Sequence, residues 1–252
     1  MVKNRIYIAG GTAACQIAGR YLADLGFPIT DTASEDVGHV ILDVPSFGPG
    51  GQLRMGGSVD NLLQALPSDV TIYGGNLAHP SLAEHRTVDF LQDPTYLAEN
   101  AWITAECALD VALPYLPVTL RRCPTLIVGW GRIGKCLGKL LQAIGADVTI
   151  AARKESDRAM LQALGYKTAN TETIENLAPF RLVFNTAPAP VISAQVAQTC
   201  GENCILIELA SRDGIDHENV IVARGLPGIH MPESSGILIA ETFLRYYKED
   251  TP

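Results

Sequence analysis

Three glycines at G-x-G-x-x-G spacing, Gly129, Gly131 and Gly134, mark where this chain could handle a nucleotide. They follow the apolar run Leu126–Val128. They open a stretch in which Ile133, Leu137, Leu140, Leu141 and Ile144 recur at three- and four-residue steps, the period of an amphipathic helix. Each glycine has its own physical task. The first allows a tight turn, the second lets backbone approach a pyrophosphate, and the third lets the helix pack on the strand. The helix start then presents unpaired N–H groups and partial positive charge to the phosphates. Gly129, Gly131, Arg132, Ile133 and Gly134 are therefore candidate cofactor contacts. The alternative is a bare strand–helix–strand unit, but a turn made only for packing does not need all three glycines.

The next strand, Val148–Ala151, decides which dinucleotide. An NAD site usually carries an acidic residue there for the ribose 2′-hydroxyl. This chain has Arg153 and Lys154 instead. A guanidinium and an ammonium suit a 2′-phosphate, so NADP(H) is expected, with NAD left open. Solvated loop charges are the alternative for both residues.

Four other stretches fall at the carboxyl ends of expected strands, where open α/β sheets bind ligands. They are Ser46–Gly51 in P-S-F-G-P-G-G, Asn185-Thr186 in N-T-A-P, Ser211-Arg212 in A-S-R-D-G, and Gly225–His230 in G-L-P-G-I-H. Strands are expected at Arg5–Ala9, His39–Val44, Val70–Tyr73, Arg86–Phe90, Leu182–Phe184, Ile205–Leu209 and Val220–Val222. Helices alternate with them. Thr12 and Ser58 are expected caps, and Pro94 opens a helix with Ala98, Trp102, Ala105 and Leu109 on one side. The fold class is α/β with two domains, an N-terminal flavodoxin-like parallel sheet and a C-terminal Rossmann dinucleotide-binding domain. The expected boundaries are 1–93 for the first domain, 94–120 for a bridging helix and 121–232 for the NADP-binding domain. Residues 233–252 would be a helix, from Ile237, returning toward the first domain.

Composition removes other classes. The 252 residues are 47% hydrophobic and 18% charged, the balance of an ordinary globular protein. Nineteen basic and 27 acidic residues give a net charge of −8, which argues against nucleic acid or an anionic membrane as a general partner. Cys15, Cys107, Cys123, Cys136, Cys200 and Cys204 form no C-x-x-C pair and no metal-ligand spacing, so free thiols and no metal are expected. The stretch Ile6–Ala9 is too short for a signal sequence. A cytoplasmic protein is expected.

Together, G-W-G-R-I-G, the strand end A-A-R, N-T-A-P, L-A-S-R with a following glycine, and G-L-P-G-x-x-x-P-x-x-x-G resemble the A-subunit family of dipicolinate synthase. The likeness runs closely from about Thr95 to Leu244 and loosely over the first ninety residues, where T-A-A-C-Q after Gly11 lacks the family's charged residues. The two-domain plan is also similar to that of formate/glycerate-type dehydrogenases. The resemblance implies a nicotinamide-nucleotide oxidoreductase of sporulation that works with a flavoprotein-like B-subunit. It would form pyridine-2,6-dicarboxylate from a dihydrodipicolinate-type precursor by removing a hydride and a proton.

A small dicarboxylate substrate calls for arginine or clustered N–H groups. Arg212 with Ser211 is the first candidate anchor, though Arg212 could instead pair with Asp213. An N–H nest in the Gly48–Gly51 loop, including Gly50 beside Ser46, is a second. Gly228 and Ser234, with Ser235, are a third, unless the serines only cap the last helix. The resemblance assigns Asn185 and Thr186 to the cofactor; a turn-forming Asn is the alternative. For the proton acceptor, Glu106 in T-A-E-C matches a T-x-E of the family, and a buried carboxylate there could act as base. A structural partner role for Glu106 stays open, as does a plain loop role for His230, the other candidate base. Two further readings remain. One is a 2-hydroxyacid dehydrogenase, hinted at by His230 with Glu233. The other is a non-catalytic NADPH-binding subunit that docks a flavoprotein. The apolar face Ile237–Phe243 fits either core or a homo-oligomer interface.

Overall fold

The computed structural model describes residues 4–250, with side chains through residue 248. The chain forms two compact units. One holds the sequence up to Asn100 together with everything from Pro227 onward; the other is Ala101–Leu226.

The first unit begins β1 (Arg5–Ile8), α1 (Ala13–Asp24), β2 (Ile29–Thr30), β3 (Val37–Ile41), α2 (Val59–Gln64), β4 (Thr71–Gly74) and β5 (Arg86–Asp89). Its five strands pair in parallel in the order β2-β1-β3-β4-β5, the flavodoxin order. Ile6, Val40, Ile41, Ile72 and Tyr73 are fully buried, as central strands covered on both faces require. Thr12 caps α1 by accepting the Cys15 N–H, and Ser58 caps α2 by accepting the Asp60 N–H. The expected strand at His39–Val44 instead ends at Ile41, because the chain then turns so that Asp43 and Ser46 can bond neighbouring turns.

Helix α3 (Pro94–Ala112) leads into the second unit: β6 (Pro124–Val128), α4 (Arg132–Ile144), β7 (Asp147–Ala151), α5 (Glu155–Ala163), β8 (Lys167–Ala169), β9 (Leu182–Asn185), α6 (Ala194–Ala197), β10 (Ile205–Glu208) and β11 (Val220–Val222). The six strands are parallel in the order β11-β10-β9-β6-β7-β8. Numbered from β6, this is the 3-2-1-4-5-6 arrangement of dinucleotide-binding sheets, with its switch point between β6 and β9. The register aligns one rung across the whole sheet: Ala169, Ala151, Val128, Asn185, Glu208 and Val222. The glycine turn, the Arg153 segment, the Thr186 segment and the Ser211 loop all leave from that rung.

The G-L-P-G stretch is a short helix, α7 (Leu226–His230), and the last helix, α8 (Pro232–Asp250), starts five residues before the expected Ile237. Helix α8 packs along α1 at Gly236, where an added Cβ would stand 2.6 Å from the Ala14 carbonyl oxygen. Leu238, Ile239, Ala240 and Phe243 are buried within this unit, so the apolar face of α8 is core. No described helix is long and apolar enough to cross a membrane.

Candidate coenzyme site

The turn from β6 into α4 is built by two glycines for packing and one for something else. Gly129 takes φ +109°, and a Cβ there would press on Thr186 Oγ1. A Cβ at Gly134 would collide with the Gly129 carbonyl oxygen. Gly131 differs. It is the N-cap of α4 with ordinary φ −80°, makes no side-chain cap, and an added Cβ would meet nothing within 4 Å. Neither strain nor packing inside the protein demands glycine there. The space above it faces the uncapped N–H groups of the helix start, which suits a pyrophosphate. The residues present therefore fit a dinucleotide.

On one side of this turn lies a cavity of about 390 Å³ bordered by Gly129, Trp130, Arg153, Lys154, Asp157 and Pro188. Arg153 and Lys154 are exposed, and Arg158 Nη1 donates to the Ala152 and Arg153 carbonyls at 2.9 and 2.6 Å, fixing the backbone that carries them. On the other side lies a cavity of about 420 Å³. Ile133, Pro188 and Leu209 form its apolar wall, and Thr186, Ser211 and Arg224 its polar one. Pro188 borders both.

Asn185 does not reach either cavity. It is fully buried, and its Nδ2 donates to both Glu208 oxygens, at 2.8 and 3.0 Å, while its Oδ1 accepts the Ala187 N–H. Its side chain clamps Glu208 and the Ala187 turn together. Thr186 does border the second cavity, with its hydroxyl donating to the Val128 carbonyl at 3.0 Å. Glu208 also accepts the Ala210 and Gly214 N–H groups, so one buried carboxylate shapes the entire Ala210–Gly214 loop. Arg224 holds that loop from outside: Nε donates to the Ala210 carbonyl at 2.8 Å, and Nη2 bonds Asp213 at 2.6 Å. Asp213 is thus the partner of Arg224. Arg212 is exposed and borders neither cavity, whereas Arg224 lines the second.

Other expected contacts fall elsewhere. Ser46 is buried, donates to the Asp43 carbonyl at 2.8 Å and accepts the Gly75 N–H at 3.1 Å, so its hydroxyl is internal. The nest at Gly48–Gly51 does not form. Gly48 N–H bonds the Gln52 carbonyl and Gly51 N–H the Gly48 carbonyl, and Gly50 is exposed beside them. Ser234 and Ser235 sit inside the first turn of α8 rather than capping it, Ser234 exposed and Ser235 buried. Gly228 lies within α7, and His230 ends it, exposed. Glu106 is half-exposed rather than buried, and Trp102 Nε1 donates to it at 2.7 Å. Trp102 itself is 37% exposed, against the expected inward side.

Sequence reasoning passed over Glu208, Arg224 and Arg158. A signal existed for two of them. Glu208 is a carboxylate closing an apolar strand, and Arg224 follows a strand end by two residues. Arg158 is a half-buried residue of a polar helix and gave none.

All six cysteines are free. Burial and the neighbouring Cys200 thiol push Cys204 up to about 12, and burial, with the nearby Asp110 and Glu106 charges, pushes Cys107 up to about 11. These thiols are unreactive at neutral pH.

A flavodoxin-order sheet joined to a 3-2-1-4-5-6 sheet, with an open glycine turn at its switch point, is the architecture of two-domain Rossmann-type dehydrogenases. No protein-family model matches the chain. The dipicolinate synthase A-subunit of Bacillus subtilis (strain 168) is a homologue, 23% identical over 203 residues, which cover 74% of this chain and 68% of that protein. The crystal structure of the dipicolinate synthase A-subunit from Bacillus halodurans superposes with a TM-score of 0.84 at 20% identity, covering 97% of this chain and 98% of the other. The Salmonella D-lactate dehydrogenase structure follows at TM-score 0.65 and 12% identity, over 98% and 97% of the two chains. The chain thus has the fold of the dipicolinate synthase A-subunit and, more broadly, of nicotinamide-dependent dehydrogenases.

Proposed function

We propose that the chain is an NADP-dependent oxidoreductase subunit that forms dipicolinate from a dihydrodipicolinate-type precursor during sporulation, in the cytoplasm. The similarity to the dipicolinate synthase A-subunit over 203 residues carries this reading. The fit of the α4 turn to a pyrophosphate supports the coenzyme part. The nicotinamide, when bound, would supply hydride acceptance. The chain's own residues bind and orient. Uncapped N–H groups at Gly131 hold the pyrophosphate. Arg153 and Lys154 take the 2′-phosphate, and Thr186 and Ile133 border the ring. Arg212, exposed on a loop shaped by Glu208, would meet a substrate carboxylate.

A second reading is favoured by Glu106. Its carboxylate is engaged by Trp102 in the half-exposed setting described above, which is a poor setting for a base. On that reading the chain binds coenzyme, and turnover begins only when a flavoprotein-like B-subunit is added. Ultraviolet absorbance of dipicolinate, followed with purified chain, coenzyme and precursor, separates the two. Product from the chain alone favours the enzyme. Product only with the partner favours the second reading. No product in either case, with coenzyme bound, overturns the substrate assignment.

A further inference from the structure

The cavity bordered by Ile133, Thr186 and Leu209 has one charged side chain among its lining residues, Arg224. The guanidinium cannot swing freely. Nε–H is committed to the Ala210 carbonyl and Nη2 to Asp213, and two bonds set the plane of the group. Neither bond uses Nη1. Ala210 is itself fixed, because its N–H is held by the buried Glu208 carboxylate. Arg224 is therefore an oriented cation on the wall of an otherwise uncharged cavity, with donors to spare. Its countercharge, Asp213, is 80% exposed, and the Arg224 side chain is itself 39% exposed.

A dinucleotide whose 2′-phosphate end lies at Arg153 and whose pyrophosphate crosses Gly131 reaches this second cavity with its nicotinamide, past Pro188, which both cavities share. The ring is flat and apolar on its faces, which suits Ile133, Pro188 and Leu209. Its substituent is a carboxamide with an oxygen acceptor. Its charge depends on redox state: the oxidised ring is a cation and the reduced ring is neutral.

We propose that Arg224 makes this site selective for the reduced coenzyme, donating from its guanidinium to the carboxamide oxygen while its charge disfavours the oxidised ring. The inference rests on the coenzyme reading above. Two like charges a few ångströms apart, half-screened by solvent and by Asp213, translate to roughly a fivefold to tenfold difference in affinity.

Calorimetric titration tests this with three probes: NADPH, NADP⁺ and 2′-phospho-ADP-ribose, which lacks the nicotinamide. If the non-phosphorylated pair binds wild type more tightly, NADH, NAD⁺ and ADP-ribose replace them. Wild-type protein is compared with Arg224→Gln and Arg224→Lys. The expected result is that the ratio of oxidised to reduced dissociation constants falls about fivefold to tenfold in Arg224→Gln. Arg224→Lys, which keeps the charge, should retain most of the ratio, and the probe without a ring should bind all three proteins alike. That last arm also shows that the variants are folded. An unchanged ratio in Arg224→Gln overturns the inference while leaving coenzyme binding intact, and so does an equal loss for all three probes. If wild type binds none of the probes, the coenzyme reading itself falls and takes this one with it.

Discussion

The chain contains two strand–glycine–helix turns that look alike on paper and are built in opposite ways. In the first unit, β1 passes through Gly10 and Gly11 into α1. There Asp43, arriving from the end of β3, fills the helix start. It accepts the Gly11 N–H at 3.0 Å, the Thr12 N–H at 2.9 Å and the Thr12 hydroxyl at 2.6 Å, while Thr12 caps Cys15. That turn supplies its own anion. In the second unit, β6 passes through Gly129 and Gly131 into α4, and no side chain caps it. A helix N-terminus carries the same partial charge in both places. What differs is whether a neighbouring strand brings a carboxylate or leaves the helix start open.

The sharpest way to break the contrast is to close the open turn. Gly131→Asp places a carboxylate at an N-cap whose backbone already suits one. Coenzyme affinity should fall by about 100-fold or more, since like charge then faces the pyrophosphate. The melting temperature should hold or rise slightly, because an Asp cap is worth roughly a few tenths of a kcal/mol over Gly. Loss of binding with loss of stability would mean that Gly131 serves folding after all. The converse change opens the closed turn. Asp43→Ala strands two N–H groups and a hydroxyl in a partly buried place and should destabilise the chain by about 2–3 kcal/mol, read by denaturant unfolding. Coenzyme affinity should not move. A shift in affinity matching the loss of stability would erase the division of labour between the turns.

Arg153→Ala probes the open side more finely. It should weaken NADPH about tenfold and leave NADH within about twofold, because only the former carries the 2′-phosphate. Equal effects on both coenzymes would remove the basis for the NADP assignment.

These two turns also show what the sequence could and could not disclose. Gly129, Gly131 and Gly134 were legible because their requirements are local, and so was the parallel sheet implied by alternating helices and strands. The partners of Asp43 and Glu208 were not, since the N–H groups Asp43 serves lie 31 and 32 residues away and Asn185 lies 23 residues from Glu208. Only the fold reveals that these acids are already satisfied. Trp102 was misplaced for another reason. The buried residues of α3 include Ala101, Ala105, Ala108 and Ala112 beside Tyr96, Thr104, Cys107 and Leu109; so many small residues weaken the hydrophobic period, and the large indole drew the reading one step round the helix. Glycine and proline made G-L-P-G look like a loop, yet burial of Leu226 and Pro227 holds it as α7.

The first unit's habit of answering its helix starts with its own carboxylates recurs at α3. Asp93, just before the helix, accepts the Thr95 and Tyr96 N–H groups at 2.7 and 2.9 Å, and from α8 it receives Arg245 at 3.0 Å and the Tyr246 hydroxyl at 2.9 Å. Burial alone would raise its pKa, but the Tyr96 N–H, the Tyr246 hydroxyl and the Arg245 guanidinium together outweigh burial and hold it below the ordinary carboxylate value. A carboxyl whose pKa is depressed by folding stabilises the native state above its unfolded pKa, near 3.8, and that contribution disappears as pH falls through the folded value. Asp93→Asn keeps an acceptor for the two N–H groups but loses the charge, so at neutral pH it should cost about 1 kcal/mol, the smallest of these effects. The gap in melting temperature between wild type and variant should be constant down to about pH 5 and narrow below pH 4. A gap that stays the same from pH 7 to pH 3 would mean that Asp93 works through shape alone, and that carboxylate charge is not what closes the start of α3.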